Sequence, residues 1–164
     1  MRIMGIDPGY AIVGVGLVDY DNVRFSLVEY GAITTPAELP FETRLRQIYD
    51  DMVGLITQYR PDAVAMEQLF FTTNRTTAIA VAEARGVLLL AAEQQGVPVF
   101  SYTPLQVKSA VVGYGKAEKE QVMEMTRRLL CLREVPKPDD TADALAIAIC
   151  HCHASGTALR QFLR

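Results

Sequence analysis

The chain predicts an α/β fold: a mixed five-stranded sheet, its first three strands antiparallel, flanked by helices. Three observations carry this. Residues 1–35 are β-branched and aromatic runs separated by short turns, the pattern of a meander. Two later runs, "DAVAMEQ" and "VPVFSY", are short and nearly uniformly apolar, as strands covered on both faces are. The segments between and after them repeat apolar residues at three- and four-residue steps, as helices do.

Taken in order, Met1–Ile6 is the first strand and Ala11–Tyr20 the second, with Tyr20–Asn22 as the turn into a third over Val23–Thr35. Gly5, Gly9, Gly14 and Gly16 suit close backbone approach and a tight first turn. Leu45, Ile48, Tyr49, Met52, Leu55, Ile56 and Tyr59 mark one helical face, stopped by Arg60-Pro61. "DAVAMEQ" follows as the fourth strand. Asn74 or Thr76 opens the next helix, which runs to about Gln95 and is apolar nearly all round, so it belongs at the centre of the fold or in an oligomer interface. After "VPVFSY", Thr103-Pro104 reads as an N-cap with proline at the first helical position, opening a helix through Val111. "VVGYGKAEKE" leads into a helix through about Leu132, "VPKPDD" breaks the chain, and "TADALAIAICHCHAS" is the last helix. With no repeat and no linker, residues 1–164 are expected to form a single domain.

Composition narrows the function classes. Half the 164 residues are apolar and none of the runs is long enough to cross a bilayer. Cys131, Cys150 and Cys152 are odd in number, and the last two sit too close on one helix to pair, which points to a reducing, cytoplasmic compartment. The net charge of −3 is unevenly spread: Thr103–Lys137 holds seven Lys/Arg against four acids, a balance of +3, leaving −6 elsewhere. A basic region of that size is by itself only a solvated face.

The chemistry lies in four carboxylates. Asp7 ends "RIMGID" and Glu67 ends "DAVAME", each an apolar strand followed by one acid and a loop. Ligands gather beyond strand ends in α/β sheets, although a single acid there is more often a solvated one. Asp140 and Asp143 lie three apart at a helix start and so share a face, a placement that also suits capping and the helix dipole. If the four converge, repulsion at ~5 Å is about 3 kcal/mol per pair, so the cluster must protonate, pair with Lys/Arg or bind cations. An all-oxygen set favours Mg²⁺ or Mn²⁺, and two such ions suit phosphodiester hydrolysis.

"GIDPG", "MEQLFF", "QVKSAVVGYGKAEKEQV" and "PDDTADALAIAICHCH", in this order and at this length, resemble the RuvC-type Holliday junction resolvases over Met1 to about His153. The resemblance implies a ribonuclease H-like fold and an Mg²⁺-dependent homodimer with two ions per site. It implies nicking of two opposed strands of a four-way DNA junction in recombination and repair, alongside a branch-migration helicase of the RuvA–RuvB type. Asp7, Glu67, Asp140 and Asp143 match the family's catalytic, metal-binding acids. Lys108 and Lys119 match its active-site or DNA-contacting lysines, and Phe70 its junction-opening aromatic. Asp139 falls outside the matched pair and is taken as a helix-start residue.

Other readings use part of the same signal. Another ribonuclease H-like nuclease needs the same acids without paired sites. An actin-like nucleotide-binding module also opens with a "GIDPG"-like turn, though 164 residues is short for its two lobes. A junction-binding protein that does not cut is a third. "CHCH" at Cys150–His153 is not expected to hold zinc, because adjacent helical residues splay about 100° apart.

Overall fold

A computed structural model describes residues 1–69 and 75–162, the side chains of 75–76 and 157–162 excepted. The elements follow the expected order: β1 (Arg2–Asp7), β2 (Ile12–Tyr20), β3 (Phe25–Thr34), α1 (Phe41–Tyr59), β4 (Ala63–Glu67), α2 (Arg75–Gln94), β5 (Val99–Tyr102), α3 (Pro104–Val112), α4 (Lys119–Leu129) and α5 (Asp139–Phe162). The sheet order is β3-β2-β1-β4-β5, with β1 to β3 antiparallel and β4 and β5 parallel to β1. The meander turns at Asn22, in the left-handed region with φ 74°, while Asp21 Oδ1 accepts the N–H groups of Val23 and Arg24 at 2.9 and 2.7 Å. Those two bonds take Val23 and Arg24 out of the ladder, so the third strand starts at Phe25 and not at Val23.

Alternation along the strands sorts the core into two layers. Met4 and Ile6 of β1 and Val64 and Met66 of β4 face α1 and α2, against Ile48, Met52, Ala84 and Leu88. Ile3 of β1 and Ala63 and Ala65 of β4 face the other way, against Leu145, Ile149 and the helices α3 and α4. α1 packs through Arg44, Ile48, Met52 and Ile56, one residue per turn, and ends at Arg60 in the left-handed conformation with its N–H on the Ile56 carbonyl. Arg44 is buried there, donating to the Thr35 hydroxyl at 2.8 Å and the Tyr10 carbonyl at 3.3 Å, which pins the loop that follows β1.

α5 crosses β1 and β2 at closest range where the strands carry glycine. A Cβ on Gly5 would lie 1.9 Å from the Ala144 carbonyl oxygen, and one on Gly14 would lie 2.0 Å from that of Asp140. Both obstacles are helix backbone, which cannot rotate aside as a side chain can.

Helix ends differ from expectation in α4 and α5. α4 stops at Leu129 because Cys131 turns left-handed (φ 54°), placing its N–H on Arg128 and that of Leu132 on Arg127, a Schellman closure. α5 starts two residues before Thr141 and continues past Ser155 to Phe162. The Thr103 cap is as expected, a capping box with Gln106 and proline at the start of α3.

Candidate active site

Strand parity and register place the first two acids. Asp7 follows Ile3 and Gly5 on the α5 face of β1, and Glu67 follows Ala63 and Ala65 on the same face of β4. β1 and β4 are adjacent and parallel, in register through Ile6↔Met66, so Asp7 and Glu67 end neighbouring strands on one side of the sheet. Asp7 also pairs with Gly14, the residue whose missing side chain admits the Asp140 backbone. The glycine contact thus seats the first turns of α5, with Asp140 and Asp143, over the strand ends.

Asp7 feels the charges of the other three acids. Burial, then the charges of Glu67, Asp143 and Asp140, push the Asp7 carboxyl from 3.8 up to about 8, with Lys119 pulling the other way. Burial and Asp143 raise Glu67. Burial also raises Asp143, against the hydrogen bond and charge of Lys119. Lys119 Nζ stands 3.0 Å from Asp143 Oδ2 and 3.8 Å from Asp139 Oδ2. Desolvation works against the lysine's charge, but Asp143, Asp139 and Asp7 together raise its pKa. Asp139, the first residue of α5, is held low by the hydrogen bond from Lys137 at 2.7 Å and by the charges of Lys137 and Lys119.

The donor set fits a hard divalent cation: four carboxylates, no thiol or imidazole, and acids raised by burial and by one another. Among the described residues, no three acids, histidines or cysteines already stand close enough together to hold an ion as they are. Lys119 is the cation paired with Asp143.

The other expected site residues divide. Lys119 lies in the cluster. Lys108, half-buried on α3, makes no ion pair among the described residues. Phe70 lies outside the described residues. "CHCH" is packing, as expected: Cys150, His151 and Cys152 are buried, His151 Nδ1 lies 2.7 Å from the Tyr102 hydroxyl, and His153 Nδ1 meets the Ala110 carbonyl at 2.9 Å. Tyr102→Phe should cost about 1–2 kcal/mol in urea unfolding, because it strands a buried ring nitrogen.

Arg85, on α2, was not among the expected residues. Its Nε donates to the Glu67 carbonyl at 3.2 Å and its Nη2 to the Ser101 hydroxyl at 2.8 Å. A charged residue inside "AIAVAEARGVLLLAA" is the sequence signal that could have found it.

The raised acids make a prediction about stability. A carboxyl with a higher pKa folded than unfolded binds its proton more tightly in the native state, so stability is lost as pH rises from about 4 through 8. Without divalent cations, melting temperature should fall over that window, with Asp7 responsible for about 6 kcal/mol at most. Asp7→Asn should flatten the fall, and Mg²⁺ should offset it increasingly toward pH 8; thermal melts with and without chelator check both.

A mixed five-stranded sheet with acids past the ends of its central strands defines an α/β protein with an acidic candidate site. The family model for "Crossover junction endodeoxyribonuclease RuvC" matches residues 3–151. A protein of that description from Brevibacillus brevis is 60% identical over 151 residues, covering 92% of this chain and 91% of its own. One from Alkaliphilus oremlandii is 54% identical over 153 residues, covering 93% of each. The structure of Thermus thermophilus RuvC in complex with Holliday junction substrate superposes with a TM-score of 0.92 at 38% identity, covering 96% of each chain. The chain belongs to the RuvC family of crossover junction endodeoxyribonucleases, so the actin-like and non-cutting readings are set aside.

Proposed function

We propose that this chain resolves Holliday junctions in the cytoplasm as a single-domain subunit of a homodimer, nicking two opposed strands in an Mg²⁺-dependent reaction. The carrying observation is that Asp7 and Glu67 end the adjacent strands β1 and β4 on the face where Gly14 seats Asp140 and the start of α5, acids whose mutual repulsion a bound cation would relieve. Junction DNA as substrate rests on the family and on the junction bound in the Thermus thermophilus relative's structure.

Asp7, Glu67, Asp140 and Asp143 are the residues to hold two Mg²⁺, with Mn²⁺ able to substitute. Bound there, such ions would supply Lewis-acid stabilisation of the phosphodiester and activation of water at neutral pH. The strand ends orient Asp7 and Glu67, and the glycine-seated start of α5 orients the aspartates. Lys119, already beside Asp143, is placed to offset negative charge on the scissile phosphate; Lys108 is the second candidate for phosphate contact. α2 leaves Ile79 and Leu90 exposed at 62% and 51%, apolar surface suited to a second copy. Two sites related by a two-fold axis then match the near two-fold symmetry of a junction. A RuvA–RuvB type helicase complex is the expected partner, on the family resemblance.

The test is an end-labelled synthetic four-way junction incubated with Mg²⁺ beside a linear duplex of the same sequence. Symmetric paired nicks in the junction alone are expected; an intact junction with both Mg²⁺ and Mn²⁺ would remove the reading. Phe70→Ala should slow cleavage of a fully paired junction more than one with an unpaired centre, because stacking on a base helps only where pairs must open. Single-turnover rates on the two substrates compare them, and equal slowing would count against stacking.

A further inference from the structure

We propose that Arg85 is a positioning residue: from α2, its guanidinium completes the backbone hydrogen bonding at the end of β4 and so sets where the Glu67 carboxylate stands. This rests on the reading of Glu67 as a metal ligand.

The gap that Arg85 fills originates at Pro8. Val64 and Gln68 turn their N–H groups toward β5, onto the carbonyls of Pro98 and Tyr102. Glu67, one residue out of phase, turns its backbone toward β1. In a parallel ladder a carbonyl accepts from the residue after its partner. The β1–β4 register ends at Ile6↔Met66, which makes Asp7 the next partner and residue 8 the next donor. Residue 8 is proline and has no N–H. The "DPG" turn that carries the first acid therefore leaves the carbonyl of the second acid without its ladder bond.

Arg85 fills that gap. Its Nε donates to the Glu67 carbonyl at 3.2 Å while its Nη2 holds Ser101 of β5 at 2.8 Å. One planar group thus ties α2 to the ends of two strands at the residue that bears the carboxylate. The guanidinium is half-buried and makes no ion pair among the described residues, so its hydrogen bonds go to these two acceptors rather than to an acid. A guanidinium can span both acceptors; a lysine ammonium, a point donor, cannot reproduce the fork.

The experiment compares Arg85→Ala, Arg85→Lys and Glu67→Gln with the native chain. Mn²⁺ binding to the metal-free protein is titrated by calorimetry. Nicking at saturating junction is measured over a Mg²⁺ series, and junction affinity in Ca²⁺ over a salt series. Loss of an outer-shell partner typically costs ~10–100-fold in metal affinity or activity. Arg85→Ala should therefore weaken Mn²⁺ binding and raise the Mg²⁺ needed for half-maximal nicking by about that factor. Junction affinity should stay unchanged, and Arg85→Lys should recover only part of the loss and serves if the alanine variant does not fold. Native Mn²⁺ affinity and Mg²⁺ dependence in folded Arg85 variants overturn the assignment. So does a loss confined to junction affinity with a shallower salt dependence, which would make Arg85 a phosphate contact. Native Mn²⁺ affinity in Glu67→Gln removes the ligand reading beneath it; impairment there with unaffected Arg85 variants removes the positioning role alone.

Discussion

Asp7→Asn should abolish junction nicking, by about a thousand-fold or more, while junction binding in Ca²⁺ survives. Asparagine keeps the size of the side chain and removes its charge. Asp7 is the acid that the other three all perturb, so its charge is the one most closely shared across the cluster. A cation in such a site supplies several kcal/mol of transition-state stabilisation, and about 4 kcal/mol is a thousand-fold in rate. Single-turnover cleavage of labelled junction, with a parallel gel-shift titration, measures both quantities. Retained nicking within ten-fold of native would mean that the acids serve packing or the helix start and not the reaction.

Gly14→Ala is the second large effect, and it acts through the backbone. The added methyl would lie 2.0 Å from the Asp140 carbonyl oxygen, in helix main chain that cannot rotate aside. Overpacking of this kind costs about 3 kcal/mol or more. The only relief is to lift the start of α5, which carries Asp140 and Asp143 away from Asp7 and Glu67. The variant should therefore melt lower and also nick at least about ten-fold more slowly when fully folded, since small misplacements at a reacting centre are costly. Gly31→Ala on β3 is the control, because a Cβ there meets nothing within 4 Å. Urea unfolding and nicking of all three proteins in parallel decide the matter; equal behaviour of the two alanine variants would contradict it.

The strands, the helices and their order were legible because each follows from local pattern: apolar alternation, four-residue periodicity, and punctuation such as Arg60-Pro61 and Thr103-Pro104. Where local reading overshot, a hydrogen bond decided the boundary, as at Asp21 before β3 and at the left-handed Cys131 after α4. Of "CHCH", read as core or solvated-end residues, Cys150, His151 and Cys152 proved buried and His153 only partly so.

Convergence of the acids was not. Asp7, Glu67 and the Asp140/Asp143 pair are scattered across the chain, and no local signal says that β1 and β4 are neighbours or that α5 begins above them. Register decided the first and the glycine-lined crossing of α5 over β1 and β2 decided the second. Arg85 belongs to the same class: its role depends on a carbonyl that Pro8, in a distant strand, cannot satisfy. By itself, the sequence determined which residues are strand, helix and acid, because those depend on neighbours in the chain. The family resemblance named the four acids and Lys119 from motif order, but how those segments are brought together, and that Arg85 reaches the Glu67 carbonyl, was decided only by the tertiary structure, because pairing register and close backbone approach are relations between segments.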